Sequence, residues 1–556
     1  MTGALEQMQE DTAGPSVHAQ RKSVLGAVAL LSIFTAAWLW WMDWPNFRVA
    51  EDAAMLFRYV DNVFAGHGVV WNTGEPPVDG ATDLGYMFLV VAVKYLGVST
   101  QAAALIVNTI AFLSVAALIF VYALRRTCLG LAVLLTAIFI SSPAVGIINV
   151  GFGAVFFSGS VALTALAMFR FTDDPTRRNA IYFGCAGAVS GIIRPEGFLI
   201  AGVLLITAIA ASGRPALRSV IWAIATLFLA AFAFVAVRWQ YFGYPFPNPY
   251  YKKGGGRIHF SGLLSSVQFA LSSGFISIVL LTATAILAGL NRRAISYLAS
   301  IAALLGMWAL LSSEMNYGFR FQFPILVVIL LMVVDIFSRN ASRLTARIAA
   351  FPKMVLRSVP AIVILIVMVN AAVTLPVVHQ SMTQLLTWRI AETPQEKIAK
   401  ALAASGEDDL VVATTEAGYV CWKSGWRCID LWGLNDKRIA HEGLLDQAAL
   451  MDLHPDVIVA HVPTSPNARS IHESSAEFPV RGWEQMTDPV IRFAEGNNYV
   501  LAAIAEPQPD SGFAVYVRPE VARNTKVIQE LAAISPSIEE YYGPLRGKKP
   551  ALPTNE

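Results

Sequence analysis

Long apolar runs separated by short polar loops occupy most of the first 378 residues. Runs close to the roughly 20 residues that span a bilayer lie at 24–44, 101–124, 128–148, 154–169, 180–193, 197–212, 219–237, 264–290, 294–313, 322–337 and 358–378. They predict a polytopic α-helical membrane protein with about eleven transmembrane helices. A further run, 84–97, is short and carries Lys94, which predicts an interfacial or re-entrant segment. After residue 379 the pattern changes. Leu410–Ala413, Val457–Ala460, Tyr499–Ile504 and Phe513–Val517 are short apolar runs alternating with polar helical stretches, as in a small α/β domain. The expected organisation is a polar tail (1–23), a transmembrane domain (24–378) with its first outer loop at 45–100, an α/β domain (379–545) and a tail (546–556).

Charge orients these elements. With eleven spans, Arg21-Lys22, Arg125-Arg126, Arg177-Arg178, Arg214/Arg218, Arg292-Arg293 and the set Arg339, Arg343, Arg347, Lys353, Arg357 fall on one side. The positive-inside bias makes that side the cytoplasm. The first loop, Asn149–Gly153, Arg194–Glu196, Arg238–Arg257, Glu314–Arg320 and the C-terminal domain then face outward. Charged residues make up 14% of the 556 and hydrophobic ones 55%. A soluble domain is about 25% charged, so lipid solvates most of this chain. Basic residues sit in short clusters between apolar runs, which argues against a nucleic-acid-binding face. The run after Arg21-Lys22 ends in Trp and Asp without a small-residue cleavage site, as a retained anchor does. Four cysteines are too few for a disulfide framework. Cys128 and Cys185 fall in spans. Cys421 and Cys428 flank WKSGWR, where a turn at Ser424-Gly425 sets them opposite each other on a hairpin, able to pair in an oxidising compartment. Two half-buried thiols are the alternative.

Glu51-Asp52 stands at the exit of the first span. Carboxylates are costly at a membrane surface, so the pair is a candidate active site. Residues 51–64 read as an amphipathic interfacial helix, with Leu56, Tyr59, Val60, Val63 and Phe64 as its apolar stripe and Glu51, Arg58 and Asn62 elsewhere. An offset of the helix dipole is the plainer account of the acids. Outward cations shift the balance: Arg194, Arg238, Lys252-Lys253 and Arg320 all stand beside aromatic or apolar anchors, against the positive-inside bias. A phosphate at the outer leaflet supplies a reason. Transfer of a sugar from a polyprenyl phosphate needs one carboxylate to take the acceptor proton and cations to stabilise the departing phosphate. A transporter or flippase for a lipid-linked sugar is the alternative, but no duplicated half is visible and the charges cluster at one surface.

The run EDAAMLFRYVDNVFAGHGVVWNTGEPPVDGAT resembles the first outer loop of C-type superfamily membrane glycosyltransferases. It is most similar to the terminal arabinofuranosyltransferases of actinobacterial cell walls and their bacterial relatives. The residues that carry the likeness are Glu51-Asp52, Phe57-Arg58-Tyr59, Asn62, Gly66-His67-Gly68, Asn72, Gly74, Asp79-Gly80 and Thr82. RPEG (Arg194–Gly197), YFGYPFPNPYYKK (Tyr241–Lys253), Arg320-Phe321 and IDLWGLNDKRIA (Ile429–Ala440) continue it. The resemblance implies the C-type fold and an inverting transferase of the bacterial plasma membrane, acting at the outer face. Its catalytic residues are Asp52 or Glu51, with Arg58, His67, Asp79, Arg194, Glu196, Asn248, Lys252, Lys253 and Arg320 binding substrate. It further implies a polyprenyl-phosphate donor carrying D-arabinofuranose, a glycan, lipid or protein acceptor, and no obligatory cofactor, with a divalent metal left open. Two positions depart from the family. Relatives commonly have two aspartates where this chain has Glu51-Asp52, and a Gly-Leu-Glu-like element where it has Gly151-Phe152-Gly153. The second departure signals a different sugar or acceptor.

Overall fold

The computed structural model describes residues 17–42, 44, 49–212, 217–254, 256–349, 359–386, 392–407, 409–443, 446–462, 483–508, 511–523 and 525–534. The expected tails lie outside them apart from 17–23, as do Arg214, Lys353 and Arg357. All eleven apolar runs are helical: Val17–Trp41, Thr100–Arg126, Leu129–Ile140 with Ala144–Asn149, Ala154–Asp173, Arg177–Ile193, Glu196–Ser212, Leu217–Phe242, Phe260–Leu271 with Phe275–Ala288, Arg292–Gly306, Phe323–Arg339 and Val359–Leu386. Among the described residues, seven helical segments are long and apolar enough to cross a membrane, or eight with the pair Phe260–Leu271 and Phe275–Ala288, bent by 71°, counted as one span. The two broken runs have local causes. Pro143 withholds an amide after Ile140, and Gly274 leaves room for Phe269, whose ring and carbonyl oxygen a Cβ there would meet at 2.7 and 3.0 Å. The short run 84–97 forms a helix, Leu84–Lys94, whose Lys94 pairs with Asp61.

Buried charge closes one end of the bundle. Asp335 accepts a hydrogen bond from Tyr297 (2.8 Å) and pairs with Arg293 (2.7 Å) and Arg339 (3.1 Å). Asp173 joins the same two arginines. Arg339 ends the helix that Arg320 precedes, so this network and Arg320 lie at opposite ends of the bundle.

The C-terminal domain is a five-stranded sheet of β1 (Val411–Thr414), β2 (Arg427–Asp430), β3 (Val457–Val462), β4 (Val500–Gln508) and β5 (Ser511–Val517), in the order β2-β1-β3-β5-β4. β1 runs parallel to β2 and β3, and β5 antiparallel to β3 and β4. The four strands expected from the apolar runs are present. β2 carries a charge at each end and offered no apolar run to find it by. Loops at the carboxyl ends of β1 and β2 rest on the first outer loop.

Two expectations about local structure are corrected. Residues 421–428 are not a hairpin. Cys421 lies in a short helix, Tyr419–Ser424, which Gly425 ends in the left-handed region (φ 74°), and Cys428 lies in β2, paired parallel to β1. The two cysteines are nevertheless joined by a disulfide, with Cα atoms 5.5 Å apart. Such a short loop gives a stabilisation of about 2–3 kcal/mol by the chain-entropy model. The double variant C421S/C428S is therefore expected to unfold at lower temperature, and peptide mass spectrometry without reductant to show the linked pair; free thiols in unreduced protein would contradict the bond.

The helix Glu51–Phe64 is not a free surface helix either. It is clamped between the bundle and the C-terminal domain, with Ala53, Ala54, Leu56, Phe57, Arg58, Tyr59 and Val60 all buried. Phe57 packs edge-on against Trp422, with ring centroids 5.3 Å apart. Its amphipathic stripe was legible, but its polar face also finds a protein partner.

Candidate active site

Asp52 is the second residue of its helix, where a carboxylate opposes the positive end of the dipole. Its Oδ2 accepts a hydrogen bond from the Arg320 guanidinium at 2.9 Å, and Lys253 Nζ stands 4.0 Å away. Both cations are held by unusual backbone. Arg320 ends a tight turn in which Met315 (φ 57°) and Phe319 (φ 56°) adopt left-handed conformations, costing about 1 kcal/mol or more each. Asn316 braces that turn, donating to Ser265 (2.7 Å) and Gln322 (2.8 Å) and accepting from the Phe321 amide (3.0 Å). Lys253 sits on a π-helical turn, Tyr250–Gly254, a form frequent at functional sites.

A second charged group adjoins the first. Arg194 pairs with Asp83 (2.9 Å) and Glu196 (3.1 Å), all three well buried. Burial pushes the Asp83 carboxyl up and the Arg194 guanidinium opposes that shift. Behind it, Arg238 pairs with Asp79, both almost wholly buried. The Asn248 amide donates to the Asp79 carbonyl at 2.9 Å, tying the loop after Phe242 to the first outer loop.

These groups surround one cavity of about 560 Å³. Asp52, Asp83, Arg194, Glu196, Arg238, Lys253 and Arg320 line its polar end. Phe198, Leu199, Ala231, Phe234 and Val235, from the helices Glu196–Ser212 and Leu217–Phe242, line an apolar continuation. Outer faces of the same helices expose Ile206, Phe228 and Phe232. The cavity is therefore amphipathic, charged at one end and apolar along two helices whose outer faces are exposed and apolar.

Three of the five Arg and Lys side chains that the resemblance assigns to substrate, Arg194, Lys253 and Arg320, thus meet at one cavity with Asp52, together with Arg238. The other two do not. Arg58 points into the domain junction and bonds to the Trp71 and Trp426 carbonyls (2.7 and 2.9 Å), the Cys421 carbonyl and Asn72 Oδ1 (2.9 Å). Its place on the polar face of a helix looked solvent-facing, and only the C-terminal domain reveals the acceptors. Lys252 turns away to lie over the Trp432 ring, 4.7 Å from its centroid. His67 is exposed and away from the cavity, while Asp79 and Asn248 stand behind its wall as supports. Glu51 is also outside: its Oε1 accepts from the amides of Gly418 (2.7 Å) and Tyr419 (3.0 Å).

Sequence reasoning missed Asp83 and Phe152. Asp83 could have been found as the acid closing the first loop opposite an unpaired Arg194. Phe152 is the middle residue of the Gly151-Phe152-Gly153 element, and the Arg320 guanidinium lies 3.6 Å from its ring centroid. A cation–π contact thereby covers one face of the Arg320 guanidinium.

Comparison with known proteins bears on the fold. A family model described as "Domain of unknown function (DUF8728)" matches residues 383–516. No curated protein matches the chain. Among solved structures, ArnT from Cupriavidus metallidurans in the apo state is similar with a TM-score of 0.55 at 13% identity, over 93% of this chain and 99% of that one. The same protein bound to undecaprenyl phosphate gives 0.55 at 12%, over 89% and 98%. An oligosaccharyltransferase from Archaeoglobus fulgidus, tethered with an acceptor peptide containing the NVT sequon via a disulfide bond, gives 0.51 at 11%, over 88% and 74%. The fold is that of C-type membrane glycosyltransferases, a helical membrane bundle followed by a sheet-containing domain.

Proposed function

We propose that the protein is a glycosyltransferase that moves a sugar from a polyprenyl phosphate to an acceptor hydroxyl, with inversion. The observation that carries this reading is the amphipathic cavity. Its charged end suits a phosphate and sugar, and its apolar continuation suits a polyprenyl tail. Undecaprenyl phosphate bound to one structural neighbour supports a polyprenyl phosphate as the ligand class.

Asp52 is the base. It takes the proton of the acceptor hydroxyl as the acceptor oxygen attacks the anomeric carbon. The bond from that carbon to the phosphate oxygen breaks with its electron pair, and the phosphate leaves without needing a proton. Arg320, Lys253 and Arg194 stabilise the charge that accumulates on it. A single displacement inverts the anomeric centre. Arg320 contacts both the base and the phosphate position, so it couples the two halves of the reaction. The donor sugar we assign is D-arabinofuranose, on the strength of the first-loop resemblance. Active site and C-terminal domain lie on the outer side of a bacterial plasma membrane, as the cation bias of the loops indicates.

Purified protein incubated with polyprenyl-phosphate arabinose, mannose, glucose and aminoarabinose tests the reading directly. Transfer from the arabinose donor supports it; transfer from another sugar corrects the donor; and no transfer, with no binding of undecaprenyl phosphate, sinks it. R194A, K253A and R320A are each expected to weaken undecaprenyl phosphate binding by about 10-fold or more, since hydrogen bonds to charged groups contribute about 1.5–3 kcal/mol. K252A should leave that affinity within about twofold, because Lys252 lies over the Trp432 ring and not in the cavity.

Asp79 adds a pH signature. Burial raises its carboxyl to about 6, against the pull of Arg238. A group whose folded pKa is raised contributes stability below its unfolded value near 4 that is lost as pH rises through about 6. Relative to D79N, the wild type should therefore lose up to about 3 kcal/mol between pH 4 and 7. Thermal unfolding of both proteins across that range checks the sign; parallel curves would rule the shift out.

A further inference from the structure

The acid pair at the start of the first-loop helix is split between two tasks. Asp52 faces the cavity, while the neighbouring Glu51 carboxylate turns to the C-terminal domain. There, Oε1 receives the amides of Gly418 and Tyr419, at 2.7 and 3.0 Å, where the chain leaves β1 and enters the helix Tyr419–Ser424. Contact is close enough that a Cβ on Gly418 would collide with the Glu51 carbonyl oxygen and carboxyl group. On the other side the Val49 amide donates to the Tyr419 hydroxyl (3.2 Å), and the Ala50 amide to the Val150 carbonyl (2.9 Å). The C-terminal domain thus grips the residues on both sides of Ala50, up to the residue immediately before the base.

The turn that holds Glu51 is itself braced. Glu416, two residues before Gly418, pairs with His461 Nδ1 on β3 at 2.6 Å and accepts from Gln395 Nε2 at 2.9 Å. A rigid path therefore runs from β3 through the 416–419 turn to the first residue of the helix that carries Asp52.

We propose that Glu51 is a positioning residue, a latch by which the C-terminal domain sets the position of Asp52 over the cavity. The proposal rests on Asp52 being the base of the transfer described above, and it assigns Glu51 no proton transfer of its own. Burial, the nearby Glu416 and Asp52 all push the Glu51 carboxyl up, against the two amide bonds that pull it down. The carboxyl accepts both amides through the single oxygen Oε1, and a glutamine side chain offers a carbonyl acceptor in the same place. Glutamine should accordingly replace Glu51, whereas alanine should not.

The experiment compares full-length wild type, E51Q, E51A and G418A in detergent, using amide hydrogen exchange across 416–424, undecaprenyl phosphate affinity and transfer kinetics. In E51A and G418A the amides of this turn are expected to exchange about tenfold faster. Turnover in E51A should fall by about 10²-fold, the scale of a 1 Å misplacement of a reacting group, with undecaprenyl phosphate affinity unchanged. E51Q should keep both protection and turnover within about threefold of wild type, a change of under 1 kcal/mol. Loss of turnover in E51Q as deep as in D52N overturns the proposal by making Glu51 itself a proton acceptor. Unchanged exchange in E51A overturns it whatever the activity. If the wild type transfers none of the sugars tested and binds no undecaprenyl phosphate, the functional reading fails; the exchange data then still report whether Glu51 holds the turn.

Discussion

Asp52→Asn is expected to reduce turnover by about 10²–10⁴-fold, the usual effect of removing a general base, while undecaprenyl phosphate still binds. The geometry makes the second half of this result specific. The Asp52 carboxylate engages Arg320 at 2.9 Å and lies 4.0 Å from Lys253. An amide at this position keeps the shape but withdraws the negative charge, so both cations become freer to serve a phosphate. Affinity for undecaprenyl phosphate should therefore hold or tighten as turnover collapses. A residue that merely offset the helix dipole or packed the junction would give a different pattern, with stability and binding falling together. Steady-state transfer at saturating donor, with binding measured on the same preparation, separates the cases. D52N turnover within about threefold of wild type, under 1 kcal/mol in barrier height, would place the base elsewhere.

Much of this site was legible because its chemistry is written in short local segments. The acid pair could be picked out as carboxylates at a membrane surface, and RPEG, the Lys252-Lys253 pair and Arg320 as cations against the positive-inside bias. Their meeting at one cavity follows from loops that emerge at the same end of successive spans. Direction was not legible. Glu51 and Asp52 are adjacent, as are Lys252 and Lys253, and in each pair one side chain faces the cavity while the other faces the C-terminal domain. A helix or a π-turn separates neighbours by roughly 100° or less, and nothing local says which of the two looks inward. Supports such as Asp79 and Asn248 were selected by likeness to relatives, yet they hold wall and loop rather than line the cavity. The strand β2 and the parallel arrangement around β1 escaped the apolar pattern, because register and strand order arise from pairings distant in the chain.

Arg58→Ala is expected to be the most destabilising single change at the domain junction, and to act without touching the cavity. Its guanidinium serves four acceptors at once: the carbonyls of Trp71, Cys421 and Trp426 and the side chain of Asn72. Two belong to the first loop and two to the disulfide-closed segment, so one side chain stitches both together. The group is buried and sits 4.9 Å from the centroid of the Trp71 ring. Burial lowers its pKa only to about 10, so it remains charged at neutral pH and keeps every donor. Removing it strands buried acceptors at about 1–3 kcal/mol each. Neighbouring groups relax together, so a net loss of about 3–5 kcal/mol is expected rather than the full sum. Lysine offers a compact ammonium in place of a planar fork and cannot reach all four acceptors, so R58K should recover only part of the loss. The check is thermal unfolding of R58A and R58K beside wild type, together with undecaprenyl phosphate affinity of the folded fraction. Lower melting temperatures with unaltered affinity are the expected outcome. Wild-type melting with weakened binding would return Arg58 to the phosphate clamp that its place in the first loop suggested.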